Sequence, residues 1–204
     1  MNNLGLADPI LDALLETANI GVGRAAAGLS ELTGREVEIS VPELMIFRAD
    51  EPVKMADLQD VAVLRVAQRF TQAMEGYVML LLNEAGSRRV ARLILGEEIE
   101  SNNSFDEIEQ SALLELANIM INGVMGTIAN QLGITLGYEV PYLELKGVSG
   151  FGDLIYDLIP NRASQVVFMR ASLKISSEVV HGYMVLILDE KNLGILVSKL
   201  RDSI

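Results

Sequence analysis

Cysteine and tryptophan are absent from this 204-residue chain, and histidine occurs once. Without cysteine there is no disulfide, no thiol nucleophile and no thiolate metal site. The single His181 sits in an apolar, strand-like context and is weighed as a strand residue rather than a catalyst. Basic residues are scarce, 16 against 28 acidic, for a net charge of −12. That balance argues against nucleic acid or an anionic membrane as the main partner, because phosphate recognition needs a basic surface. No apolar run reaches the ~18 residues of a bilayer span, and the N-terminus lacks the basic and apolar regions of a signal peptide. The expectation is a soluble, cytoplasmic protein without membrane insertion.

Half of the residues are hydrophobic, enough for a full core. The chain is organised around a stretch that it contains twice. Asp12, Glu16, Asn19 and Pro42 recur as Ser111, Glu115, Asn118 and Pro141, each 99 residues on. On a helix turning about 100° per residue, Glu16 and Asn19 fall within about 60° of each other with Asp12 between them. Gly23 extends that polar stripe, while Leu14, Ala18, Val22, Ala25, Leu29 and Leu32 gather opposite it. The second copy aligns Ser111, Glu115, Asn118 and Asn122, with Leu113, Ala117, Ile121, Val124 and Ile128 opposite.

Asp8-Pro9 suits a helix start and Gly34 its end, for a helix of about 25 residues. The Gly- and Ala-rich middle, residues 21–28, favours close packing against a sheet or the sister helix over a phosphate loop, since no strand precedes Gly21-Val22-Gly23. Residues 36–41 alternate as a strand, Pro42 interrupts it, and residues 44–48 resume it. Residues 49–60 form a charged connection. Strands are predicted at 61–70 and 76–82, then a helix from the Asn83 cap to Leu95, closed by Gly96. Residues 97–106 link two halves. Ser104 with Glu107 offers a capping box for a second long helix ending before Gly133. Asp106, Glu107 and Glu109 form an acidic helix start that suits the dipole. Residues 135–140, before Pro141, should repeat the first-half strand, and residues 182–190 echo 76–84 at an offset of 106. The seven extra residues of the second half are assigned to a short amphipathic helix within 147–158, on Phe151, Leu154, Ile155 and Leu158. Asp189 caps the last helix.

Consecutive strands without long helical crossovers predict an α+β fold. It is expected as one pseudo-two-fold domain, 1–204, with halves of about 8–96 and 104–204. Two long helices and shorter ones would be layered on a largely antiparallel sheet.

One Glu and one Asn on a helix surface are ordinarily just solvated. Two matching copies, each with a mid-helix Asn of poor helix propensity, suggest a site, although duplication alone also accounts for them. A carboxylate metal site is a second reading, but one Glu per helix supplies too few hard ligands unless the helices converge.

The pattern Asp or Ser, three residues, Glu, two residues, Asn, twenty-two residues, Pro resembles the signature of the CheC, CheX and FliY family of chemotaxis phosphatases, which act on the phosphorylated response regulator CheY. Both copies match at every position, and two such helices in one chain resemble CheC more than the CheX or FliY arrangement. The resemblance implies an aspartyl-phosphate phosphatase without a cofactor or metal of its own, the receiver supplying Mg²⁺. It implies that Asn19 and Asn118 position the attacking water and that Glu16 and Glu115 pair with the receiver's lysine. Asp12 and Ser111 would support docking, and Pro42 and Pro141 would shape the loop beneath each helix. It also implies CheD, a receptor deamidase, as a second partner, with 147–158 as a candidate surface. A module that sequesters phosphorylated CheY or regulates CheD with little turnover is the alternative, and a flagellar switch scaffold a third. Between the two copies the sequence offers no ranking.

Overall fold

A computed structural model of the protein describes residues 8–49, 61–96, 105–148, 151–158 and 165–203. The chain runs α1 (Asp8–Thr33), β1 (Val37–Arg48), β2 (Val61–Gln72), β3 (Gly76–Asn83) and α2 (Glu84–Leu95). It continues as α3 (Glu107–Leu132), β4 (Leu136–Tyr138), β5 (Tyr142–Val148), α4 (Phe151–Ile155), β6 (Gln165–Ile175), β7 (Glu178–Leu188) and α5 (Glu190–Ser203). The α+β class is as expected from sequence. All pairings are antiparallel, in the order β1-β6-β7-β3-β2-β4, with β5 also on β2.

The continuous apolar run of β3 suits its central place, because both faces of the sheet are covered. Val78, Leu80 and Leu82 face the core shared with the helices, whereas Met79 and Leu81 face a second cluster capped by Leu154, Ile155 and Leu158. In the β3–β7 pair Met79 stands opposite Val185, its counterpart at the repeat offset of 106, a register compatible with a local two-fold axis.

Local chemistry sets several boundaries. Asn83 accepts from the Gly86 N–H at 2.7 Å to start α2, and Gly96 ends it in the left-handed region at φ +71°. Asp189 accepts from the Asn192 N–H at 2.7 Å at the head of α5. At α3 the capping box is formed by Asp106 and Glu109 rather than by Ser104 and Glu107. Ser104 lies outside the described residues, as do 50–60 and 97–103 of the expected connections. The Asp106 box carries Glu109 into the interior, 3% exposed, with its carboxylate 3.8 Å from Arg88. His181 lies in β7.

The strand readings need two corrections. Pro42 does not divide the first strand, because β1 passes through it on a bulge: Ser40 pairs with Ser172 and Glu43 with Arg170, leaving Val41 and Pro42 opposite Ala171 alone. The second-half counterpart is instead broken, into β4 and β5, and the strand pattern expected only over 135–140 continues past Pro141 through β5, Tyr142–Val148. The extra helix exists but is a five-residue turn, α4. By length and composition alone α3 is apolar enough to cross a bilayer, yet most of its apolar window is buried within the fold.

Candidate functional site

The two long helices meet backbone to backbone. A Cβ on Gly21 would lie 2.6 Å from the Val124 Cα, and one on Gly123 would lie 2.7 Å from the Gly21 carbonyl oxygen, so only glycine fits this crossing. Gly21 and Ala25 in the middle of α1 therefore serve contact with the sister helix, while Gly23 faces open space. The Thr17 hydroxyl lies 2.6 Å from Gln131 Oε1, and Arg24 Nη1 donates to Thr127 Oγ1 at 3.1 Å, so the helices run antiparallel. Their apolar faces are buried as predicted except for Leu32, which is 50% exposed in the last turn of α1.

The polar stripes face away from that core. Asp12, Glu16 and Gly23 on α1 are exposed, as are Ser111, Glu115 and Asn122 on α3, while Asn19 and Asn118 are half-buried. Antiparallel packing puts the stripes at opposite ends of the pair. Glu115 precedes Gln131, the residue level with Thr17, by sixteen residues, or about 24 Å along the axis. Two carboxylates so far apart cannot share one ion, which removes the converging-helix form of the metal reading.

The reason for the fixed Asn-to-Pro spacing is visible in the first copy. Asn19 Nδ2 donates to the Val41 carbonyl at 3.1 Å, and its Oδ1 accepts from the Val41 N–H at 2.9 Å. The bulge leaves Val41 without a ladder partner on β6, and Pro42 has no N–H to lose. The Asn19 carboxamide thus stands in for the missing strand partner. Its second N–H goes to the Leu15 carbonyl at 3.0 Å.

The second copy has a similar extra residue and a different outcome. Phe70 pairs with Tyr138 and Ala67 with Tyr142, so three residues oppose two on β2. The β2 strand itself holds Glu139, whose N–H donates to the Arg69 carbonyl at 3.0 Å and whose carbonyl accepts from Gln68 Nε2 at 2.8 Å. Val140 then turns outward, 86% exposed, where Val41 is 2% exposed. Among the described residues Asn118 makes no hydrogen bond to Val140. Instead its Oδ1 accepts from Asn122 Nδ2 at 2.9 Å.

The chain's likenesses follow the same residues. The CheC-like family model matches residues 10–46, the span from before Asp12 to beyond Pro42. The CheY-P phosphatase CheC of Bacillus subtilis is 26% identical over 144 residues, 69% of this chain and 68% of that protein. The chain is thus similar to the CheC-like family over residues 10–46 and to CheC proteins over about two thirds of its length. Another CheC-like relative, a putative CheY-P phosphatase CheC1 of Halobacterium salinarum, is 27% identical over 133 residues, 65% of this chain and 67% of that one. Thermotoga maritima FliY has the same fold, with a TM-score of 0.78 over 98% of this chain and all of that structure at 22% identity.

Of the residues expected at the site, each Glu and Asn lies on its exposed helix face, and Asn19 is joined to the residue before Pro42. Among the described residues no hydrogen bond joins Asn118 to the Val140-Pro141 segment. What residue types could not reveal was the use of the Val41 backbone. The constant spacing of twenty-two residues to proline was the available signal.

Proposed function

We propose that this protein is a chemotaxis phosphatase that hydrolyses the aspartyl phosphate of a CheY-type receiver in the cytoplasm. The observation that carries the proposal is the pair of stripes, each with an exposed Glu and a half-buried Asn one turn on, at opposite ends of an antiparallel helix pair. The names of the relatives from B. subtilis and H. salinarum support it.

A receiver's acyl phosphate already has Mg²⁺ and a lysine beside it, so a phosphatase adds little beyond alignment. Water attacks phosphorus in line, the bond from phosphorus to the aspartyl oxygen breaks, the receiver's carboxylate is released, and the water's proton leaves with inorganic phosphate or solvent. A carboxamide is suited to aligning that water, because its oxygen accepts from the water, its N–H groups donate, and being neutral it does not repel the phosphoryl group. Asn19 and Asn118 take that role in the proposal. Glu16 and Glu115 bind the receiver's lysine, and Asp12 and Ser111 support docking.

The lifetime of a phosphorylated receiver, followed with and without substoichiometric protein, tests this. Shortening supports turnover. Tight binding with an unchanged lifetime favours the sequestering module, with CheD regulation as its other face. Absence of both favours the scaffold reading that the likeness to FliY keeps open.

A further inference from the structure

In the second stripe Asn122 stands one turn beyond Asn118 and donates to its Oδ1 at 2.9 Å. Its counterpart in the first stripe, 99 residues earlier, is Gly23, which has no side chain to offer. The two carboxamides are therefore in different states. Asn19 gives both N–H groups to backbone carbonyls, of Leu15 and Val41, and accepts from the Val41 N–H, leaving one lone pair on its oxygen. Asn118 has its oxygen oriented by Asn122, keeps one lone pair on that oxygen, and among the described residues engages neither of its own N–H groups. A group that must accept from water and donate to a phosphoryl oxygen at once does so more readily from the second arrangement, since Asn19 would first have to give up a backbone partner. An i,i+4 pair of amides on a helix also limits the rotation of the acceptor.

We infer that the two sites are unequal: α3 carries the main catalytic face, Asn122 acts there as a positioning residue for Asn118, and Asn19 chiefly holds the β1 bulge. This rests on the phosphatase proposal and adds to it a ranking and a residue.

Steady-state turnover of a phosphorylated CheY-like receiver by the full chain tests it. Asn118→Ala is expected to lower kcat about tenfold or more, and Asn19→Ala to retain the larger part of turnover. Asn122→Ala, a helix-favouring change at an exposed position, is expected to lower kcat about 3- to 10-fold with KM unchanged, the scale of one lost hydrogen bond. Asn122→Gln, which keeps a donor on a longer arm, should recover at least half of that loss. The side-chain amide NMR signal of Asn118 should shift in Asn122→Ala, while that of Asn19, slowed in solvent exchange by its backbone bonds, should not. An active protein in which Asn122→Ala leaves kcat unchanged, or in which Asn19→Ala costs as much as Asn118→Ala, overturns the inference alone. A wild-type protein that accelerates no receiver overturns it together with the phosphatase proposal.

Discussion

Arg65, wholly buried in the middle of β2, grips Asp157 just beyond α4 with both terminal nitrogens, at 2.7 and 2.5 Å. The Leu154 carbonyl accepts from the same guanidinium at 2.5 Å, and Glu144 of β5 pairs with it as well. A buried guanidinium requires such partners, since an unpaired charge in the interior is costly. This cluster explains how a turn as short as α4 stays on the sheet.

The Arg65 hydrogen bonds hold the Asp157 carboxyl down at about 2, below its usual 3.8. A carboxylate whose folded-state pKa is depressed contributes stability above its unfolded pKa and loses it as pH falls through the folded value. Acid titration of unfolding should therefore show a loss between about pH 4 and 2 that Asp157→Asn lacks. At neutral pH Asp157→Asn should destabilise, by much less than the roughly 3–5 kcal/mol of a fully buried pair, because half of Asp157 meets solvent and Glu144 remains. Urea unfolding at pH 7 and pH 3 measures both effects.

The two carboxamides should separate in stability before any activity is measured. Asn19→Ala orphans the N–H and C=O of buried Val41 and should cost about 2 kcal/mol. Asn118→Ala loses one exposed side-chain bond and should change stability by less than about 0.5 kcal/mol. Equal losses in urea midpoints would contradict the difference in their partners.

Glycines in the middle of α1 offer a sharper contrast. Gly21→Ala drives a methyl into the α3 backbone and should destabilise by at least about 2 kcal/mol, a Tm drop of roughly 4–8 °C. Gly23→Ala meets open space and should stabilise by about 0.5–1 kcal/mol through helix propensity. Thermal melts of the two variants check this, and a stabilised Gly21→Ala would mean that the helices do not touch there.

What could be read from sequence was what neighbours in sequence decide. Asn83 and Gly96 bound α2 because caps act within one turn, and the long helices follow from their apolar period. Ser104-Glu107 and Asp106-Glu109 are boxes of equal spacing, and the choice of the second places Glu109 beside Arg88, a contact from another helix. Pro42 looked like a break because its bulge is satisfied by Asn19, twenty-two residues away. At Pro141 the same pattern does break, because β2 takes Glu139 and lets Val140 turn outward. The two polar stripes and their place on outward helix faces were legible by type and spacing. The unequal state of their amides was not, since it depends on a strand edge and on Asn122.

Dividing the roles of Glu and Asn distinguishes a catalyst from a binding module. Replacing Asn19 and Asn118 together by Ala should reduce turnover on the order of 10²-fold or more, the effect of losing a group that acts in the transition state. Binding to a receiver carrying a phosphoryl mimic should survive, because a neutral amide adds little to docking. Replacing Glu16 and Glu115 should weaken that binding, each losing a charge-assisted contact worth roughly 1.5–3 kcal/mol where the complex shields it from water. Both Glu side chains are exposed in the free protein, so the fold should persist in the Glu pair. The Asn pair carries the stability loss of Asn19→Ala and is best assayed well below its melting temperature. If the Asn pair weakens binding as much as turnover, or leaves turnover intact, the carboxamides do not position water and the sequestering module becomes the better account of the two stripes.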